Sequence, residues 1–213
     1  MKYLALFIIL TSCAGYRFRN KENPFIQFGI RTLSVPMFYN HSTLHNVSGV
    51  FTKEIFNTMI NYKGLELKSG NAPADAVLIG IVESPQTLKD TVSSEAFKSV
   101  ENTYGEEVLN EKRKNFNLPS VNRVSLKVRI IVIKQPSKEE IKFLRSSYGK
   151  GVVSSKIIFN ETISLSDTYN LKENGGEGVK VLGTQNRGIQ QATVKNLALS
   201  AATSFKDMIL YAF

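Results

Sequence analysis

A single thiol, two histidines four residues apart and a row of cations on one expected strand are the groups here whose types and spacing could do chemistry. Cys13 is the only cysteine among 213 residues. A thiolate is the strong nucleophile among ordinary side chains, and it is the group that forms a thioether. His41 and His45 would share a face on a formed helix, as metal ligands do. No third ligand lies near them in sequence, and His41 precedes the expected helix, so no metal site is expected. A nucleophilic triad needs a histidine oriented by an acid; nothing marks one, and G-x-S-x-G is absent. The glycines of ENGGEGVKVLGTQNRG precede a helix, where a phosphate could be cradled. Their spacing fits neither G-x-x-x-x-G-K-[ST] nor a helix-opening G-x-G-x-x-G, so a long turn is expected. Asp75 and Glu83 flank one strand, too far apart to act together within it. The chain reads as a non-enzyme without a cofactor.

The cations are more informative. In VNRVSLKVRIIVIKQP, Val124, Leu126, Val128, Ile130 and Val132 alternate with Arg123, Ser125, Lys127 and Arg129. Side chains on a strand alternate between faces, so one face joins a core and the other carries Arg123, Lys127 and Arg129. Neighbours on that face stand about 7 Å apart. That spacing suits the phosphates or carboxylates of a large anionic head group, with arginine giving bidentate contacts. A solvated sheet face is the plain alternative. The whole chain carries 27 Lys and Arg against 18 Asp and Glu, a net charge of +9. Residues 112–156 hold twelve of the cations and two of the acids, a local +10, so the remainder is near neutral. A concentrated basic segment steers anionic partners toward itself.

Which anion depends on where the chain works. Lys2 and the eight apolar residues 3–10 resemble a secretory signal peptide. Eight helical residues rise about 12 Å, against roughly 30 Å of hydrocarbon, so the run cannot span a bilayer. Leu10-Thr11-Ser12-Cys13 resembles the bacterial lipobox. By that resemblance Cys13 receives a diacylglycerol, the leader 1–12 is removed and the new N-terminus is acylated. The alternatives are a non-lipidated leader or a buried N-terminal strand. Several acyl chains, at about 0.8 kcal/mol per buried CH₂, make a lasting anchor. The expected organisation is a signal peptide (1–12), a lipidated tether (13–24) and a single α+β domain (25–213). No later apolar run reaches membrane-spanning length. A tethered, exported protein meets anionic lipid or glycolipid before nucleic acid, so no nucleic-acid partner is expected.

The elements that must position the cations follow from periodicity. FIQFGIRTLSVPMF alternates apolar and polar residues and predicts a strand closed by Pro36. Leu44, Val47, Phe51, Ile55 and Met59 form one helical face, with Ser42 as a possible N-cap and Gly64 at its end. GLELKSG predicts a short strand. Residues 76–82 form a continuous apolar run, as in a strand buried on both faces. Residues 84–120 are polar and read as an excursion, helical in part. Residues 137–155 read as a loop or short helix, and KIIFNETISLSDTYNL as a strand. A final helix carries Val194, Leu197, Ala198, Ala201, Phe205, Met208 and Ile209 on one stripe. The expected fold is an α+β two-layer sandwich: two helices on one face of a four- or five-stranded, mostly antiparallel or mixed sheet.

From Cys13 to about Leu88 the sequence resembles the outer-membrane lipopolysaccharide-assembly lipoprotein family LptE. The resemblance lies in CAGYRF, in LSVPMFYNHST, and in an amphipathic helix followed by GLELKSG and PADAVLIGIV. The C-terminal amphipathic helix also fits. The resemblance implies helices on a four-stranded sheet, and a protein seated as a plug inside a large β-barrel translocon, LptD-like, where it binds lipopolysaccharide. It implies attachment to the periplasmic face of the outer membrane, as does the lack of Asp after Cys13. Arg123, Lys127 and Arg129 would then be the lipopolysaccharide contacts. The competing expectation is a lipid-tethered periplasmic adaptor that regulates a cell-wall synthase or forms part of a secretion assembly.

Overall fold

The computed structural model describes residues 22–85, 91–101, 115–146, 154–173 and 182–213. The expected signal peptide, Cys13 and the tether as far as residue 21 lie outside the described residues. The glycine-rich residues 174–181 do as well.

Seven strands form one mixed sheet: β1 (Thr32–Val35), β2 (Tyr39–His41), β3 (Glu66–Ser69), β4 (Ala76–Glu83), β5 (Val92–Glu101), β6 (Asn115–Lys134) and β7 (Ile157–Asn170). Three helices accompany them among the described residues: α1 (Val47–Met59), α2 (Lys138–Arg145) and α3 (Gly183–Ala212). The class is α+β, as expected, with more strands and one more helix than expected. The excess of strands comes from interruption. β1 and β2 follow one another along the same edge of β4, both parallel to it. β4 and β5 likewise follow one another along one edge of β6, both antiparallel to it. β3 lies outside β1, and β7 pairs with the opposite edge of β6. Seven segments therefore make five rows.

The long strand β6 is the spine. Its residues Val124, Leu126, Val128, Ile130 and Val132 enter one core with α1 and α3. α1 buries Val47, Phe51, Ile55 and Met59. α3 buries Val194, Leu197, Ala198, Ala201, Phe205 and Ile209, where the alanines allow a close approach. Phe205 meets Phe159 of β7 edge-on, with ring centroids 5.5 Å apart. Where β1 gives way to β2, Phe38 is buried and its backbone N–H donates to Thr52 Oγ1 of α1 at 2.9 Å. The Phe38 ring lies over Gly80 of β4, where any Cβ would collide with it. Glycine at 80 is thus a requirement of packing.

Three expectations fail for local reasons. Residues 26–28 are a 3₁₀ turn rather than the start of a strand. Gly29 adopts a left-handed conformation (φ 70°), and the buried Asn23 side chain holds the turn. It accepts from the Phe25 N–H at 2.9 Å and donates to the Ile30 carbonyl at 2.6 Å. The described parts of residues 84–120 are a β-hairpin arm, not partly helical. β5 pairs with the first half of β6, with register shifts around Ala96. Pro119 sits opposite Phe97 beside such a shift, where a missing N–H is tolerated. Ser42 is not the N-cap of α1; that position is Asn46, at φ 61°.

Candidate functional site

The odd-numbered residues of β6 face away from α1 and α3. This second face changes character along the strand. Its outer end carries Arg123 and Ser125, its middle Lys127 and Arg129, and its inner end Ile131 and Ile133. The adjacent strands extend each zone, because partners in register share a face. Ser166 stands opposite Ser125, Ser164 opposite Lys127 and Thr162 opposite Arg129 on β7. On β4, Glu83 stands opposite Lys127, Ile81 opposite Arg129 and Ile79 opposite Ile131.

The three expected cations do occupy this face, but only part of it is open. Arg123 is exposed, and its Nε lies 3.2 Å from Glu95 Oε1 of β5. Lys127 is half-buried. Arg129 departs from the expected exposed row: it is only 6% exposed. The reason is α2, which lies across the inner end of the face. Leu144 of α2 is buried with Ile79, Ile81, Ile131 and Ile133 in a second apolar cluster. Arg129 Nη2 donates to the Leu144 carbonyl at 2.9 Å. The last carbonyls of a helix lack helical partners and form its negative end, so a cation here holds the end of α2. Burial pushes the Arg129 guanidinium below its ordinary pKa, and the charge of Glu83 works against that shift.

α2 is built to form where it does. Ser137 and Glu140 make a reciprocal capping box: Ser137 Oγ accepts from the Glu140 N–H at 3.1 Å, and Glu140 Oε2 accepts from the Ser137 N–H at 2.7 Å. That N–H and the Lys156 ammonium, 2.9 Å from Glu140 Oε1, hold the Glu140 carboxyl below its usual pKa. Near the other end, the Arg145 guanidinium lies 4.0 Å from the centre of the Tyr39 ring. The sequence signals for this arrangement were present. S-K-E-E is a capping-box pattern, and Ile131 and Ile133 on the cationic face announced that its inner end needs cover. What carries that cover could not be read from β6 alone.

The remaining candidates stay apart. His41 lies on β2 opposite Glu83, exposed. His45 lines a cleft of about 710 Å³ between α1 and α3 with Asn46, Arg187, Gln190 and Gln191. Among the described residues, no carboxylate lines that cleft beside His45. Asp75 lies at the start of β4 and accepts from the Arg31 and Thr32 N–H groups, each at 2.9 Å. No helix of the described residues is long and apolar enough to cross a membrane.

The second face thus offers hydroxyls and cations at its open end and a covered apolar patch at the other. That combination can hold an anionic group with polar surroundings. No family model matches the sequence, and no curated protein matches it. Among solved structures, the chain is similar to a protein of family model DUF330 from Xanthomonas campestris, at TM-score 0.41 and 7% identity over 86% of this chain and 85% of that one. It is similar to lipoprotein GNA1162 from Neisseria meningitidis at TM-score 0.34 and 10% identity, over 76% of this chain and 96% of that one. It is also similar to the rare lipoprotein B of Shewanella oneidensis, at TM-score 0.33 and 10% identity over 83% and 91% of the two chains.

Proposed function

We propose that this chain is a lipid-anchored protein on the periplasmic side of the outer membrane. In this reading it binds lipopolysaccharide on the second face of its sheet and supports an LptD-like β-barrel translocon during insertion into the outer leaflet. It performs no catalysis. The observation that carries this reading is the open strip of Arg123, Ser125 and Lys127 beside Ser164 and Ser166. Cations there meet phosphates, and the hydroxyl rows meet sugar. The exposed pair of Arg123 with Glu95 is worth at most about 1 kcal/mol, so Arg123 can exchange that partner for a phosphate at little cost. The lipobox at Cys13 supports the anchor, and the LptE resemblance supports the barrel.

Two measurements test it. A tagged chain drawn from detergent-solubilised membranes brings a large outer-membrane barrel with it; recovery without any barrel ends the translocon reading. Arg123→Glu with Lys127→Glu weakens lipopolysaccharide binding, and the loss grows as salt is lowered. Unchanged binding removes the strip from the reading. The adaptor reading draws on one observation, Phe97, which is 59% exposed on the arm. Depletion that damages the wall while surface lipopolysaccharide stays normal would favour it.

A further inference from the structure

A two-layer sandwich needs one apolar sheet face, and α1 and α3 already cover it. The second face nevertheless carries Ile79, Ile81, Ile131 and Ile133, all 1% exposed or less. Among the described residues their cover is one eight-residue helix, which buries Leu144 and packs Ile141 against them, together with the partly buried Tyr39, Val77 and Ile157. Its polar fastenings among the described residues include the Arg129 bond to the Leu144 carbonyl, Arg145 on Tyr39, and an exposed ion pair from Glu140 to Lys156. Beside this patch the same strand continues through Arg129 and Lys127 to Ser125 and Arg123. From Ile133 to Arg123 is ten residues, or about 33 Å of strand. Along that length the face runs from apolar through cationic to hydroxylated. Lipopolysaccharide carries acyl chains and phosphates on one disaccharide, with further sugars beyond, so it offers a matching partner to each zone.

We infer that the isoleucine patch beneath α2 is an acyl-chain subsite and that α2 is its cover. The inference rests on the head-group reading above and adds the subsite and its gate. When α2 lifts, Leu144 leaves the patch, a chain takes its place on the four isoleucines, and Arg129 loses a carbonyl partner and gains a phosphate. Because the competent state is a minor one, apparent affinity is reduced by its population, and loosening the cover raises affinity.

The test uses the full-length protein in phosphatidylcholine vesicles with two soluble probes. One is a bisphosphorylated disaccharide carrying short hexanoyl chains; the other is the same disaccharide without them. The acylated probe is expected to bind about tenfold tighter or better, since each CH₂ buried adds free energy, and to speed amide hydrogen exchange across 138–146. Leu144→Ala is expected to tighten the acylated probe severalfold and leave the other unchanged. The pair Tyr39→Cys and Arg145→Cys, bridged by a bismaleimide with a reducible spacer, is expected to erase the acyl advantage, and reduction to restore it. If Leu144→Ala does not fold, the cross-linked pair decides. Equal binding of both probes with unchanged exchange in α2 overturns the subsite and leaves the head-group reading standing. Failure of both probes to bind sinks the head-group reading, and the subsite with it.

Discussion

The two faces of one sheet are finished in different ways. On the first, the sheet meets two helices, and the core there includes Phe51, Ile55, Phe205 and Ile130, all fully buried. On the second, β4 and β6 meet one short helix over two isoleucines each, and beyond that helix β6 carries polar groups. The first face repeats one solution along its length, whereas the second changes from apolar to charged within ten residues. Uniform burial specifies a fold. A graded face with a thin cover leaves surface that can be used.

The largest effect should come from breaking the first face. Phe205→Ala removes a ring that is fully buried and stacked edge-on with Phe159. A loss of about 3–5 kcal/mol is expected, read as a lower midpoint in urea unfolding with all probes moving together. Gly80→Ala should also lower it, because the new methyl must displace the Phe38 ring. A midpoint that does not move in either variant would deny the first face its role as the fold's foundation.

The second face should answer a similar cut differently. Leu144 is 3% exposed, and Leu→Ala in a core costs about 2–5 kcal/mol. A cover that opens locally limits the damage, because the loss cannot exceed the free energy by which the cover is closed. Leu144→Ala should therefore cost about 1–2 kcal/mol or less in global unfolding, with hydrogen exchange rising in α2 only. A loss as large as that of Phe205→Ala would make the two faces equivalent and end the contrast. Ser137→Ala removes half of the capping box and should cost about 1 kcal/mol, again confined to α2 exchange.

These expectations show which parts of the molecule local sequence could carry. The first face was legible because it obeys a single period at a time. β6 alternates, α1 repeats Val47, Phe51, Ile55 and Met59, and α3 repeats its stripe through Ile209, as the burial bears out. The continuous run in β4 also foretold burial on both sides. The arm was not legible because, of the described β5 residues, only Val92 packs against the helix-covered core. A strand such as VSSEAFKSVE therefore has no apolar period to display. The turn at 26–28 was missed because a side chain from outside the pattern, Asn23, fixes it. At the candidate site the cations were placed on the correct face. The burial of Arg129 was not legible, because its cover begins nine residues later at Lys138 and folds back. Alternation reports which side a residue takes; only tertiary structure reports what lies over it.

The smallest effect sharpens the contrast where the second face meets the strand edge. Asp75 has the same parity as Ile79 and Ile81, and its carboxylate accepts from two β1 N–H groups. Its carbonyl also accepts from the Gln135 N–H at 2.9 Å, close to the start of α2. The bonds from Arg31 and Thr32 lower its pKa below the usual carboxylate value. A depressed pKa in the folded state means that the ionised form stabilises the fold above the unfolded pKa. That contribution disappears as pH falls through the lower, folded value. Asp75→Asn should thus lower the urea midpoint modestly at neutral pH, and the gap from the parent chain should close below about pH 4. Because the group is largely solvated, the gap should be smaller than that of Ser137→Ala. If acid instead loosens the α1 and α3 amides first, with α2 unaffected, the weak end of the molecule is not the second face.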